Sequence, residues 1–312
     1  MISEFIENAR GLGFIGTGFS RPQRLPDFDK FFSWIASGKN ADMTWLERNI
    51  ELRKDPAGLL PGCRTIISLA FPYPSPKIFT ADNFSVSRYC RPDMEDYHTR
   101  LKELCKGLTG IIKHYFPGSR SRICVDSAPI LERSFAHMAG IGFIGKNNML
   151  ILPGYGSYLY LAEILTTAEI TFKPVDPIES ECGECNLCLD ACPASALEGP
   201  FSLDASRCLS YLTIELKEPI TVDNRIEMGN CFFGCDRCQE VCPHNSEKSA
   251  GETILPSTNE FLSMDEDEFI MRFGTSAFAR PGLDKIQSNI RTVRDQVRRQ
   301  PLFPGQMRPE VL

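Results

Sequence analysis

The sequence predicts a mixed α+β domain, then a small cysteine-rich domain, then a short helical C-terminal segment. Three observations support this order. Residues 1–175 combine apolar patterns of helical period with short alternating patterns, residues 176–250 concentrate the cysteines, and residues 251–312 have helical patterns with proline near their ends. The first segment lacks a regular strand–helix rhythm and a Gly-x-Gly-x-x-Gly loop, so a nucleotide-binding Rossmann domain is not predicted.

The length and composition are those of an ordinary globular protein. The chain has 312 residues, of which 24% are charged and 42% hydrophobic, enough for one large and one small domain. No apolar run reaches the length of a membrane span, and no secretory signal is recognised at the start. We therefore expect a cytoplasmic monomer with reduced thiols and no membrane partner.

The charge distribution is uneven. The net charge is −6, which does not indicate a nucleic-acid-binding protein, but residues 271–312 hold eight basic side chains against three acidic ones. A basic segment on an acidic chain can contact phosphate, although a solvated helix face is the more ordinary interpretation. The basic residues are Arg272, Arg280, Lys285, Arg291, Arg294, Arg298, Arg299 and Arg308.

Periodicity predicts the elements of the first domain. Apolar spacing predicts helices over residues 2–9, 28–35, 97–115 and 131–139, the second of them well buried. Strands are predicted over residues 14–19, 65–70, 121–125 and 157–164, with Pro72 and Pro74 ending the second. The glycine-rich segment 139–147 allows close approach to a large ligand, or is an ordinary tight loop.

The first cysteine run carries the most specific signal in the chain. It is Cys182-x2-Cys185-x2-Cys188-x3-Cys192, followed by Pro193. This is the bacterial ferredoxin spacing, in which three thiolates hold one [4Fe–4S] cube and the fourth ligates the other.

A second run ends in Cys235-x2-Cys238-x3-Cys242 and a proline, with Cys208 alone between the runs. The ferredoxin rule then predicts two [4Fe–4S] clusters with four thiolates each, and Cys231 is left over. The predicted ligands are Cys182, Cys185, Cys188 and Cys242 for the first cluster, and Cys192, Cys208, Cys235 and Cys238 for the second.

Zinc is the alternative, because the Cys-x2-Cys pairs at 182/185 and 235/238 could form a four-sulfur site. A zinc ribbon has no use for Cys188 or for two Cys-Pro endings, so the pattern favours cubes. Two cubes need only a small domain, and we therefore expect the 175 residues in front of them to hold an electron acceptor.

Asp126 is the candidate acid of that first domain. It follows an apolar predicted strand, and apolar walls raise the pKa of a carboxyl group. We predict that Asp126 is protonated near neutral pH and acts as a general acid, with a helix cap or turn as the ordinary alternative. His98 has no ligand motif around it and is more typical of a surface or capping residue.

Five segments resemble the epoxyqueuosine reductase family, and the likeness extends to about residue 300. They are VDSAPILER at 125–133, AGIGFIGKN at 139–147, YGSYLYLAE at 155–163, RCLSYLTIE at 207–215 and GCDRCQEVCPHN at 234–245. The resemblance implies a nitroreductase-like cobalamin-binding domain followed by the ferredoxin-like two-cluster domain. It also implies reduction of epoxyqueuosine to queuosine in the anticodon loop of tRNA, with base-off cobalamin that has no protein histidine below the cobalt.

The same resemblance assigns residues. Asp126 matches the family's proton donor, and other positions match contacts to cobalamin. An external low-potential donor of flavodoxin or ferredoxin type is implied, and we expect electrons to pass the Cys192 cluster first and the Cys182 cluster second. The implied cobalamin contacts are Arg53, Cys90, Asp126, Lys146, Leu150, Leu161, Ser210 and Asp236.

Two alternatives remain open from the sequence. One is a corrinoid iron–sulfur reductive dehalogenase, although such enzymes are usually exported and use a tyrosine as the acid. The other is a plain two-cluster electron-transfer protein without a substrate.

Overall fold

The computed structural model describes residues 1–74, 76–220, 227–245 and 251–299. Its α-helices are α1 Ile2–Gly11, α2 Phe28–Ala36, α3 Ile50–Lys54, α4 Tyr97–Tyr115, α5 Glu132–Met138, α6 Leu187–Asp190, α7 Leu209–Ile214, α8 Arg237–Glu240, α9 Thr258–Ser263, α10 Glu266–Phe273 and α11 Leu283–Arg299. None of the helices in these ranges has the length and apolarity needed to cross a bilayer.

The strands are mostly short. They are β1 Gly16–Ser20, β2 Thr65–Pro72, β3 Ile78–Thr80, β4 Ser85–Val86, β5 Ser121–Cys124, β6 Phe143–Ile144, β7 Leu150–Ile151, β8 Leu159–Thr166, β9 Leu197–Gly199, β10 Ser202–Leu203, β11 Cys231–Phe233 and β12 Glu252–Leu255.

The main sheet has the order β1-β2-β8-β5, and all its pairs are antiparallel. Because side chains alternate along a strand, its two inner strands supply two separate cores. Ile67 and Ile164 face the core that α1 and α4 cover, whereas Ile66 and Leu165 pack with Phe135 of α5 on the other face. Burial on both faces makes this sheet the rigid platform of the first domain.

A second sheet joins all three segments of the chain. Its order is β11-β4-β3-β12, in which β11 runs parallel to β4 and β12 runs parallel to β3. The strands β3 and β4 come from the first segment, β11 from the cysteine-rich segment and β12 from the C-terminal one. The helices α9, α10 and α11 pack their apolar faces against this sheet.

Aromatic rings fill the core beside the second sheet. Phe278 is fully buried, and its ring centroid lies 5.1 Å from that of Phe233 and 5.3 Å from that of Phe273. Phe261 and Phe269 complete the cluster, at 5.8 and 6.2 Å from Phe278. Four of these rings come from the C-terminal segment and Phe233 comes from β11, so a shared aromatic core holds that segment on the body.

Most elements predicted from periodicity are present, with three differences. Helix α4 has the predicted bounds, and the other predicted helices and strands of the first domain agree within a few residues. However, α2 is not well buried, since Phe32 is 50% exposed. Strand β2 continues through Pro72, where the missing N–H is tolerated because Pro72 is its last residue. Strand β12 was not predicted at all, because only Leu255 of its four residues is buried.

We expect Phe278→Ala to destabilise the fold by about 3–5 kcal/mol, because it opens a cavity among packed rings. The matched control is Phe32→Ala on the exposed face of α2, which should change stability by less than about 0.5 kcal/mol. Urea unfolding followed by circular dichroism measures both variants. Equal midpoints for the two would contradict the role assigned to the aromatic core.

Candidate active site

A cavity of about 430 Å³ lies between the main sheet and the cysteine-rich segment. Its walls are mostly apolar, with a few polar groups, as is usual for ligand sites. Five of the predicted cobalamin contacts lie on these walls, and they come from five different stretches of the chain. They are Asp126, Leu150, Leu161, Ser210 and Asp236.

Three predicted contact residues lie away from these walls. Arg53 is buried in α3, with its guanidinium 5.8 Å from the centroid of the Phe31 ring. The thiol of Cys90 is buried and donates to the carbonyl oxygen of Ser87 at 3.0 Å. Lys146 lies between β6 and β7, and its side chain contacts the loop of the first cysteine run. The predicted role of all three at the cofactor stays a prediction.

Only one of the two predicted cysteine sets reaches the cavity. Cys192, Cys208, Cys235 and Cys238 all line it, whereas none of the four cysteines of the first set does. An electron that travels to a group in the cavity passes last through the cysteine set that lies nearer to the cavity. This placement favours the reverse of the predicted order, with the Cys182 set as the outer one, and the order itself stays a prediction.

The first set of cysteines converges on one loop. Burial raises the pKa of the Cys188 thiol, and the neighbouring Cys182 and Cys242 raise it further. The main-chain N–H of Lys146 points at the sulfur of Cys182 at 3.5 Å, and its ammonium donates to the carbonyl oxygen of Gly183 at 2.7 Å. Lys146 therefore braces this loop.

The second set converges in the same way. Burial raises the pKa of the Cys238 thiol well above its ordinary value, with further contributions from Cys235, Cys208 and Cys192. The N–H of Ala196 donates to the sulfur of Cys192 at 3.2 Å. Each predicted set of four is thus a group of mutual neighbours, which fits two cubes.

Within the described ranges, no three His, Cys, Asp or Glu side chains are arranged to hold a single metal ion. A cube distributes its thiolates over several irons, so its ligands need not converge on one point. The two groups of thiols are compatible with that wider arrangement.

Asp126 is held at the edge of the cavity in a strained conformation. It follows β5 with a φ of 55°, a left-handed value that is uncommon for a residue with a side chain. Its Oδ2 accepts a hydrogen bond from the Tyr97 hydroxyl at 2.8 Å and lies 3.2 Å from Nε2 of His98. These two neighbours begin helix α4 and lie far from Asp126 in the sequence.

The predicted protonation of Asp126 is wrong. The hydrogen bond from His98 lowers the pKa of Asp126, and the bond from Tyr97 adds to it against the opposing effect of burial. His98 is not a simple surface residue either. Burial opposes its charged form, but hydrogen bonds to Asp126 and Asp96 outweigh burial and raise the pKa of His98. Both shifts favour the proton on the imidazole side of the pair.

A row of tyrosine rings forms the cavity wall beside Asp126, and sequence reasoning missed it. Tyr97 stacks on Tyr160 with ring centroids 4.3 Å apart and planes at 4°. Tyr160 in turn lies 4.8 Å from Tyr73. The alternation along β8 was the available signal, because it places Tyr160 and Tyr158 on the same face.

A buried polar network joins the two sides of the cavity. The side chain of Asn245 accepts the N–H of Ser157 at 2.6 Å and donates to the Ser157 hydroxyl at 2.9 Å. It also donates to the carbonyl oxygen of Gln239 at 2.8 Å. Gly156 has a φ of 95°, and a Cβ there would lie 2.0 Å from Oδ1 of Asn245. Sequence reasoning gave no signal for this network.

Most of the basic C-terminal side chains have partners within the protein. Arg280 pairs with Glu215 at 2.7 Å, and the ammonium of Lys285 donates to the carbonyl oxygen of Glu218 at 2.7 Å. Arg272 pairs with Glu268 at 3.1 Å along α10. Arg308 and the side chain of Arg299 lie outside the described residues.

Comparison with known proteins identifies the class first. Residues 181–245 match the family model described as "4Fe-4S double cluster binding domain". Together with the cavity, this match defines an oxidoreductase with a double iron–sulfur cluster domain.

The particular family follows from the rest of the chain. Residues 53–127 match "Epoxyqueuosine reductase QueG, DUF1730". The epoxyqueuosine reductase of Leadbetterella byssophila is 34% identical over 92% of this chain and 96% of its own. That of Bacillus subtilis is 35% identical over 92% and 76%. The chain belongs to the epoxyqueuosine reductase family.

Solved structures support the same relationship. A crystal structure of epoxyqueuosine reductase with an epoxyqueuosine-modified stem loop of tyrosine tRNA has a TM-score of 0.83 and 33% identity. The match covers 94% of this chain and 80% of that one. The mixed α+β fold is therefore that of the family.

We expect Cys235→Ala to lower the iron content from about eight to about four atoms per chain, because one cube loses a ligand. The control is Cys231→Ala, since the Cys231 thiol already donates to the carbonyl oxygens of Phe233 and Gly234. Iron analysis and absorbance after anaerobic reconstitution measure both. Loss of iron from the Cys231 variant would show that the ligand sets are misassigned.

We expect Asp126→Asn to lower the pKa of His98, because the imidazolium loses a carboxylate partner. A raised folded-state pKa contributes stability at low pH that is lost as the pH rises through it. The stability difference between wild type and variant should therefore shrink above the folded-state pKa of His98. Histidine NMR titration and urea unfolding across pH test this, with Asp267→Asn on α10 as the control. An unchanged His98 titration would contradict the pairing.

Proposed function

We propose that this protein reduces epoxyqueuosine to queuosine in the anticodon loop of tRNA, the last step of queuosine biosynthesis. The observation that carries the proposal is one cavity that is lined both by Asp126, whose carboxylate contacts the imidazole of His98, and by four predicted cluster cysteines. Removal of the epoxide oxygen as water consumes two electrons and two protons. The cavity has a source for each, and the relatives bear the name of this activity.

Cobalamin is the proposed cofactor of the cavity, bound base-off in a nitroreductase-like first domain. The cavity of about 430 Å³ is open to solvent, so a large planar ligand would extend through its mouth. Leu150 and Leu161 supply apolar contact, whereas Ser210 and Asp236 supply polar groups beside the cluster cysteines. Bound cobalamin would supply a reduced cobalt centre for two-electron chemistry on the epoxide.

The proposed protein contribution is proton delivery. Asp126 is a carboxylate in this structure, and His98 Nε2 lies 3.2 Å from its Oδ2. We propose that Nε2 of His98 gives its proton to Oδ2, and that Asp126 then passes this proton to the epoxide oxygen, which supplies one of the two protons of the reaction. Asp96 accepts from the other imidazole nitrogen at 2.6 Å and fixes the orientation of the ring.

The proposed partners are an electron donor, which would act at the clusters, and tRNA, which would bind beside α11. A flavodoxin- or ferredoxin-type donor would deliver electrons to the outer Cys182 cluster. Exposed Arg291 and Arg298 on α11 would contact tRNA phosphates, with the modified base extruded into the cavity. Cytoplasmic location and a monomeric state belong to the same proposal.

The decisive experiment is mass spectrometry of tRNA nucleosides from a deletion strain. Accumulated epoxyqueuosine, replaced by queuosine when the wild-type gene is restored, supports the proposal. Normal queuosine in the deletion strain would refute it. Purified protein with cluster absorbance but no corrinoid bands after reconstitution would favour a plain electron-transfer protein.

We expect Asp126→Asn to lower kcat by more than about 100-fold, since general-acid groups contribute about 10²–10⁴-fold. Both clusters and the corrinoid absorbance should be retained, because Asp126 is not a predicted cluster ligand. Single-turnover assays on a modified stem loop measure the effect, and Asp267→Asn serves as the control. Full activity of the Asp126 variant would remove this residue from the mechanism.

A further inference from the structure

The main chain of Asp126 is held by a residue that the mechanism above does not use. Its left-handed backbone needs surrounding contacts to persist. The N–H of Asp126 donates to Oε1 of Glu132 at 2.6 Å, so the first residue of α5 is tied to the loop before it. This bond spans the loop 127–131, which carries no regular structure.

A second carboxyl group lies behind Glu132. Glu163 is fully buried on β8, where it is paired in register with Ser68 of β2 and Cys124 of β5. Among the described residues, no N–H or O–H donor reaches either of its carboxyl oxygens. The carboxyl group that faces it is that of Glu132.

Two facing carboxyl groups without a donor between them are satisfied only by sharing a proton. Burial raises the pKa of Glu163 well above its ordinary value, and Glu132 adds to this. Burial and the nearby Asp126 raise the pKa of Glu132 to about 8. The hydrogen bonds from the Asp126 N–H and from Glu163 act in the opposite direction on the pKa of Glu132, and so does the nearby His98. The pair thus holds a proton near neutral pH, donated from Glu163 to Glu132.

We infer that Glu132 is a positioning residue that holds Asp126 at the cavity through its main-chain N–H, and that Glu163 is the buried acid that fixes Glu132. The chain of contacts runs from the centre of the main sheet to the candidate acid. Rigid strands thereby set the place of a side chain that lies on a loop. The inference rests on the proposed function only for the part of its test that measures turnover.

Amide exchange tests the contact without any reaction. In Glu132→Ala the N–H of Asp126 loses its acceptor, so deuterium uptake in residues 125–131 should rise by about tenfold or more in rate. Glu132→Gln keeps an acceptor oxygen and should stay within about threefold of wild type. If the alanine variant does not fold, Glu132→Leu removes the acceptor and keeps more of the side-chain volume.

Turnover on the modified stem loop separates positioning from general damage. Glu132→Ala should lower kcat by about 100-fold, because misplacing a catalytic group by about 1 Å has an effect of this size. KM for the stem loop should stay within about threefold, since the substrate contacts are untouched. Glu132→Gln should lower kcat by less than about tenfold, because the glutamine still accepts the N–H of Asp126, although without a charge.

Two matched variants test the role of Glu163. Glu163→Gln retains a donor toward Glu132 and should resemble wild type in exchange and turnover. Glu163→Leu has similar volume but no donor, and it should reproduce the loosened loop of Glu132→Ala. The control is Glu169→Gln, which removes an exposed ion pair with Arg64 and should change neither measurement.

The outcomes are distinct. Unchanged exchange in both Glu132→Ala and Glu163→Leu, or equal losses in the Gln and Ala variants of Glu132, would overturn the inference. An inactive wild-type protein with the expected exchange pattern would refute the proposed function and leave the positioning contact supported.

Discussion

The side chain of Asn245 is the contact on which the cavity depends, because the two walls of the cavity come from separate parts of the chain. The amide oxygen accepts the N–H of Ser157 in the main-sheet domain, and the amide nitrogen donates to the carbonyl oxygen of Gln239 beside the cysteines. Hydrogen bonds of a buried amide are strongly directional. Loss of any of them leaves a buried polar group unpaired, which costs free energy of folding. The absence of a side chain at Gly156 is what lets the two backbones approach. The distance between the cysteines and the acid is fixed in this way.

Features that depend on neighbouring residues could be predicted from the sequence, whereas contacts between distant segments could not. Helix α4 was predicted with its observed bounds because its apolar spacing is regular over nineteen residues. The cysteine sets were predicted because cube geometry dictates their spacing. The pKa of Asp126 was predicted in the wrong direction because its partners lie 28 and 29 residues away. Strand β12 and the Asn245 network are pairings between distant segments, and no local pattern marks them.

The cavity separates the source of protons from the source of electrons. Acidic and imidazole groups gather where β5 and α4 begin or end, whereas the sulfurs belong to the later segment. The stacked rings of Tyr97 and Tyr160 lie between Asp126 and the rest of that wall. Because the pKa of Asp126 is lowered and that of His98 is raised, the proposed mechanism takes the proton from His98 through Asp126.

The parallel pairing of β11 with β4 has a consequence for protein synthesis. Residue 85 pairs with residue 231, and residue 78 pairs with residue 252. The hairpin of β3 and β4 therefore emerges from the ribosome with both edges open. The edge of β4 stays open until β11 is available, and the edge of β3 stays open until the chain beyond residue 255 is available. The first 175 residues cannot complete their fold as an independent unit. The segment that carries Cys235 also carries β11, so closure of the β4 edge depends on the same part of the chain as the second cysteine set.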